Sequence, residues 1–185
     1  MGSFSPSGWR VVDSSIVIET PHLRLRRDEI ELPSGKRLGT YYVRESRGFA
    51  VVFAITPDDR VVLVRQYKHG IGETVLELPA GGMDPDESPE RCAERELAEE
   101  TGYVAQRLEH VGTFINDPTN STARYHLYAG YGAELRATPA HDEAEEICVE
   151  LATFEELRAH VRNRTIDVGA HVASVYFMLD RLGRL

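Results

Sequence analysis

The sequence predicts an α+β fold in which helices pack on a sheet-rich middle, preceded by a small antiparallel sheet. Three observations carry that expectation. Short alternating runs fill the stretch from Trp9 to about Val43, wholly apolar runs such as "AVVFAI" and "VVLV" mark buried strands, and capped helical segments interrupt and follow those strands. Residues 1–8, rich in Ser, Gly and Pro, are expected to be a disordered tail, residues 9–46 a β subdomain, and residues 47–185 the main domain.

In the first part, "WRVV", "IVIE", "LRLRRDEIEL" and "RLGTYYV" read as β runs, with "LPSGK" as a turn between the last two. Such a sheet is thin by itself and needs something to pack on. Then "GFAVVFAITPDDRVVLVRQY" reads as a hairpin of buried strands, Phe49 to Ile55 and Val61 to Gln66, joined through Pro57, Asp58 and Asp59. "ETVLELPAGG" is a further strand, ended by Pro79 and the glycines. Ser88 as N-cap, Pro89 at the first helical position and Gly102 after Thr101 frame a helix of about 13 residues, close to 20 Å long. Strands follow around Leu108–Phe114, Tyr125–Tyr131 and Ile147–Leu151. Thr153 and Glu156 make a capping box for a helix to about Asn163, and "VGAHVASVYFMLDRL" supplies an apolar C-terminal helix.

Composition narrows the function classes. The chain has 185 residues, 42% hydrophobic and 28% charged, and a net charge of −9. That charge argues against binding to nucleic acid or an anionic membrane, both of which depend on clustered Lys and Arg. No apolar run approaches the roughly 18–20 residues that span a bilayer, and "MGSFSPSGWR" has neither a secretory signal pattern nor, with Pro6, a myristoylation pattern. Cys92 and Cys148 stand in no ligand or redox spacing, so both are expected to be buried thiols in a reducing cytoplasm.

The stretch "GGMDPDESPERCAERELAEETGY", residues 81–103, holds eight carboxylates against two arginines. At about 100° per residue, Glu96, Glu99 and Glu100 share an arc of about 100°, bordered by Ala93 and Leu97 on the packed side. Like charges at i,i+4 and carboxylates in a last helical turn each cost a few tenths of a kcal/mol or more. A solvated charged face eased by Arg91 and Arg95 is one reading. The other is a site for a hard divalent cation, because Mg²⁺ and Mn²⁺ prefer oxygen ligands, and "PAGG" adds accessible backbone carbonyls.

Read from Gly81, the stretch runs glycine, five residues, Glu87, seven residues, then Arg95, Glu96, Leu97, Ala98, Glu99, Glu100, Thr101 and Gly102. This resembles the signature box of the Nudix hydrolases, departing only at the final aliphatic position, which is Tyr103. The box covers 23 of the 185 residues. Outside it, "VRQYKHG" with "LELPAGG", Pro118 lying 15 residues beyond the box, "HDEAEE" and "TIDVGAHVASVYFMLDRL" resemble the branch that hydrolyses ADP-ribose and nucleoside-diphosphate sugars.

The resemblance implies a Nudix-type α/β/α sandwich with a mixed sheet. It implies hydrolysis of a diphosphate linked to a second moiety with Mg²⁺, for which Mn²⁺ can substitute. By position, Glu96 and Glu100 would be the central metal ligands, Glu99 would ligate directly or through water, and the carbonyl of Ala80 would complete the shell. Glu87 and Arg95 would pair to hold loop to helix. The base, which in this branch often comes from a loop outside the box, would be Glu143, with Glu145 and Glu146 as alternates. Lys68 lies where the branch has a cation on substrate phosphate, with Arg65 beside it, and Glu77 either lines the site or sits at the surface. Trp9, Tyr41 and Tyr42 are candidates for stacking a base.

Thr119 stands where nearer ADP-ribose relatives place glycine, so the branch features point to a sugar nucleotide more firmly than to ADP-ribose. The leading expectation is ADP-ribose cleaved to AMP and ribose 5-phosphate by a cytoplasmic homodimer. Other diphosphates, including GDP-mannose, other sugar nucleotides and dinucleoside polyphosphates, and a nucleotide-sensing module without turnover, are the alternatives.

Overall fold

The computed structural model describes residues 8–140 and 146–185. The chain forms two compact units, one reaching to Arg47 and including Ile115–Ala123, the other made of Gly48–Phe114 and Arg124–Leu185. The excursion of Ile115–Ala123 into the first unit breaks the simple sequence order of the two.

The first unit is an antiparallel sheet in the order β1 (Arg10–Glu19), β2 (Arg24–Glu31), β3 (Arg37–Glu45). "WRVV" and "IVIE", read as separate runs, are one strand. Irregular register at Val11/Asp13 and Ile16/Ile18 lets it continue past Asp13–Ser15, where the apolar alternation fails. The borrowed segment attaches by backbone: Arg44 N–H donates to the Asn120 carbonyl at 2.8 Å and Thr122 N–H to the Arg44 carbonyl at 3.1 Å. Trp9 and Tyr41 meet edge to face at 5.7 Å, and the Tyr41 hydroxyl donates to the Thr119 carbonyl.

The second unit contains β4 (Phe49–Ile55), β5 (Arg60–Lys68), β6 (Glu73–Glu77), β7 (Ala80–Gly82), α1 (Pro89–Thr101), β8 (Tyr103–Val104), β9 (Arg107–Ile115), β10 (Arg124–Tyr131), β11 (Glu134–Leu135), β12 (Ile147–Thr153), α2 (Phe154–Arg162) and α3 (Gly169–Arg181). Its main sheet runs β12-β5-β4-β10-β9 and is mixed, since β4 and β10 are parallel while β12 and β5 are antiparallel. The two-residue strands β8 and β11 pair with each other and were too short to be read from the pattern.

β4 is buried on both faces, and its side chains sort by size. Ala50, Val52 and Ala54 pack with Cys92, Ala93 and Leu97 of α1, whereas Val51 and Phe53 pack with Leu157 of α2 and Val175, Met178 and Leu179 of α3. Small residues on one face admit α1 closely, and large ones fill the other. The result is the α/β/α sandwich. Each such large side chain contributes roughly 1.5–3 kcal/mol by leaving water.

A divergence in this sheet frames the site. β4 and β5 pair only next to their turn, at Ile55↔Val61, where Asp59 takes the left-handed conformation. Beyond that point the strands part and the chain from Glu73 to Gly82 fills the gap, pairing first as β6 with β5 and then as β7 with β4. At the crossing, Pro79 has no N–H to lose, and its carbonyl accepts from Val52 N–H at 2.9 Å.

Candidate functional site

α1 stands where its caps put it. Ser88 accepts from Arg91 N–H, Pro89 occupies the first helical turn, and Gly102 ends the helix at φ 73°. The last turn carries no basic residue, and Glu99 and Glu100 there oppose the helix dipole.

One helical turn back, Arg95 gathers the acidic residues. Its guanidinium forks onto Glu87, with Nε to Oε1 and Nη2 to Oε2 both at 2.8 Å, the expected ion pair between loop and helix. Nη2 also donates to the Gly82 carbonyl, and Nη1 donates to Glu96 Oε1 at 2.7 Å and to Glu99 Oε2 at 3.0 Å. The Arg95 fork holds the Glu87 carboxyl down at a pKa of about 2, and Glu87 in turn raises Arg95 above its ordinary value. Thus Arg95 already balances two of the three carboxylates on the arc.

Glu96 and Glu100 face the glycine turn. Glu100 is buried, and its Oε2 accepts from Ala80 N–H at 2.9 Å. A Cβ on Gly81 would stand 2.0 Å from the Glu96 carboxyl carbon, so the missing side chain is the space that carboxyl uses. Among the described residues no three His, Cys, Asp or Glu side chains converge at metal-ligating spacing. Glu96 and Glu99 are turned onto Arg95, and Glu100 is turned onto Ala80. The chemistry of these groups, three carboxylates beside backbone carbonyls, is all oxygen, the donor type that suits a hard divalent ion and not a soft one.

The remaining expected residues fall as follows. Lys68 Nζ lies 3.0 Å from Glu77 Oε2, and Glu77 is only 3% exposed, in the interior rather than at the surface. Arg65 pairs with Glu150 on the neighbouring strand. Glu146 is exposed, one residue before β12, while Glu143 and Glu145 lie outside the described residues. Cys92 is buried and its thiol is pushed up to about 12 by burial and by Glu96. Cys148 is exposed, contrary to expectation, because it lies on β12, the strand that ends the sheet path.

Sequence reasoning missed His171. This residue of α3 is 5% exposed, its Nδ1 accepts from Leu78 N–H at 3.2 Å, and its Nε2 is 3.3 Å from Glu77 Oε1. Burial lowers its pKa to about 4 against the pull of Glu77. The signal was present as a lone carboxylate in "TVLELP" and a lone imidazole in "GAHVAS", two polar groups in apolar segments that each need a partner.

A helix with three glutamates on one arc, docked on the small-residue face of a divergent mixed sheet beside Ala80 and Gly81, defines the class. The chain belongs to the Nudix hydrolase family: residues 45–169 match the family model described as NUDIX domain. Residues 9–43 match a second model, the N-terminal domain of nucleoside diphosphate sugar hydrolases. Members typically require a divalent metal ion. The chain is 31% identical over 160 residues to a methanol dehydrogenase activator of Bacillus methanolicus, covering 85% of this chain and 86% of that one. It is also 31% identical over 140 residues to an ADP-ribose pyrophosphatase of Bacillus subtilis (strain 168), covering 75% of each. In structure it is similar to an ADP compounds hydrolase, with TM-score 0.83 at 19% identity over 99% of this chain and 100% of the other, a likeness of fold. No helix is long and apolar enough to cross a membrane among the described residues.

Proposed function

We propose that this protein hydrolyses the pyrophosphate bond of a nucleoside-diphosphate sugar, with ADP-ribose, giving AMP and ribose 5-phosphate, as the leading substrate. The observation that carries this reading is that Glu96 and Glu100 of the acidic arc are brought against Ala80 and Gly81, with Glu99 beside them on Arg95. The ADP-ribose pyrophosphatase among its relatives and the match of residues 9–43 to a domain of nucleoside diphosphate sugar hydrolases support the substrate class.

Glu96, Glu99, Glu100 and the Ala80 carbonyl would hold the divalent ion, Mg²⁺ with Mn²⁺ as substitute. When bound, that ion neutralises diphosphate charge and makes a bound water more acidic. Arg95 keeps Glu96 and Glu99 from repelling each other before it arrives. Lys68, with its side chain 39% exposed at the end of β5, offers its ammonium to a phosphate oxygen while Glu77 aims it. Water attacks one phosphorus, the bridging P–O bond breaks, and two phosphate monoesters leave. A carboxylate oxygen of Glu143, Glu145 or Glu146 takes the water's proton. The protein works as a cytoplasmic homodimer and binds neither nucleic acid nor membrane, in keeping with its net charge of −9.

The test is a panel of ADP-ribose, GDP-mannose, other sugar nucleotides and dinucleoside polyphosphates assayed with Mg²⁺ and with Mn²⁺. AMP release from ADP-ribose is expected to lead, and no turnover of any substrate with either ion would refute the enzyme reading. Replacing Glu143, Glu145 and Glu146 singly by Gln should give one severe loss, and three mild losses would place the base elsewhere.

A further inference from the structure

The four residues from the end of β6 to the start of β7, Glu77 to Ala80, are anchored one after another. The Glu77 carboxylate receives Lys68, Gln66 and His171, at 3.0, 3.4 and 3.3 Å. Leu78 N–H donates to His171 Nδ1 at 3.2 Å, the Pro79 carbonyl accepts from Val52 N–H at 2.9 Å, and Ala80 N–H donates to Glu100 Oε2 at 2.9 Å. Four of these five partners lie on β4 (Val52), β5 (Gln66, Lys68) and α1 (Glu100), all packed around the site. The fifth, His171, comes from α3, which packs on the opposite face of the sheet.

His171 does something there that few side chains can. One ring nitrogen must accept from a backbone N–H while the other donates to a carboxylate, which requires a neutral imidazole with its proton on Nε2. An aliphatic side chain of similar size would leave Leu78 N–H and Glu77 Oε1 without these bonds in the interior, where an unsatisfied group is costly. The bonds therefore set the position of the strand end and, two residues later, of the N–H that orients Glu100.

We propose that His171 is a positioning residue for the metal site, fixing Glu100 through the Leu78–Ala80 segment although it touches neither metal nor substrate. This rests on the reading of Glu100 as a metal ligand. It makes the register of α3 part of the metal affinity. Loss of such an outer partner typically weakens metal binding by about 10–100-fold.

Two variants split the two bonds. His171→Asn keeps an acceptor near the Nδ1 position and should retain the Leu78 bond, whereas His171→Gln keeps a donor near the Nε2 position and should retain only the Glu77 bond. Mn²⁺ binding to the full chain is measured by electron paramagnetic resonance, amide exchange at Leu78 and Ala80 by NMR, and the Mn²⁺ dependence of turnover beside them, with both variants shown to be folded by circular dichroism.

The expected result is a Mn²⁺ Kd raised roughly tenfold or more in His171→Gln with faster Leu78 and Ala80 exchange, and nearly restored in His171→Asn. At saturating Mn²⁺, the KM for substrate should barely move. Wild-type affinity in His171→Gln, or equal weakening in both variants, would overturn the proposal. If wild-type protein binds no Mn²⁺ at all, the metal reading itself fails, an outcome distinct from either.

Discussion

Alanine at position 81 should separate activity from stability. The added Cβ would lie 2.0 Å from the Glu96 carboxyl carbon and 2.1 and 2.2 Å from its two oxygens. Ordinary carbon contact is about 3.5 Å, so the carboxyl has to retreat by roughly 1.5 Å. Because the obstructed group is the end of a flexible side chain, it can swing away at little cost to the fold. On the proposed assignment of Glu96 as a ligand, a Mg²⁺ site would not absorb that swing, since Mg²⁺ demands oxygen at about 2 Å in near-octahedral geometry. A displacement of this size is expected to lower kcat/KM by about 100-fold, or about 2.7 kcal/mol of transition-state stabilisation. Gly81 is not in the left-handed backbone region, so alanine there should leave stability unchanged or raise it by up to about 1 kcal/mol through the unfolded chain. Gly82→Ala is the control, because its Cβ would meet nothing within 4 Å. Steady-state kinetics of both variants, with thermal melts by circular dichroism, decide the matter. Near-normal turnover by Gly81→Ala, or equal losses in the two variants, would refute the assignment of Glu96 to the site.

Glu100→Gln keeps an acceptor for Ala80 N–H but removes a charged ligand, and should cut turnover by several powers of ten without shifting the melting temperature much; near-normal activity would move the metal elsewhere. Glu87→Gln should lower the melting temperature at neutral pH. Since the folded pKa is depressed from 4.5 to about 2, the advantage of wild type is complete above pH 4.5 and should vanish as pH falls through about 2. His171 acts over a different window. Below pH 6.5 the unfolded chain takes up a proton that the folded chain, with its pKa near 4, refuses. Stability is therefore full above pH 6.5 and declines towards pH 4 by at most about 3 kcal/mol. Glu77 and Lys68 are the charged groups facing this ring; urea midpoints across pH should show the decline in wild type and flatten it in His171→Asn.

The sequence by itself determined what repeats within a helix or strand. Ser88, Pro89 and Gly102 bound α1, and the helical period alone put Glu96, Glu99 and Glu100 on one arc, because residues three or four apart share a face whatever surrounds them. Apolar runs marked β4 and β5 for the same local reason. Tertiary structure alone decided what meets across long separations. It set Gly81 beneath Glu96, drew Glu96 and Glu99 onto Arg95, and buried Glu77 between Lys68 and His171, the latter 94 residues away from Glu77. It carried Ile115–Ala123 into the unit of the N-terminal sheet and left Cys148 exposed. Strand periodicity tells a residue which face it occupies but not which strand lies beside it. That neighbour depends on where β4 and β5 diverge, because the gap between them is what admits β6 and β7 as their partners.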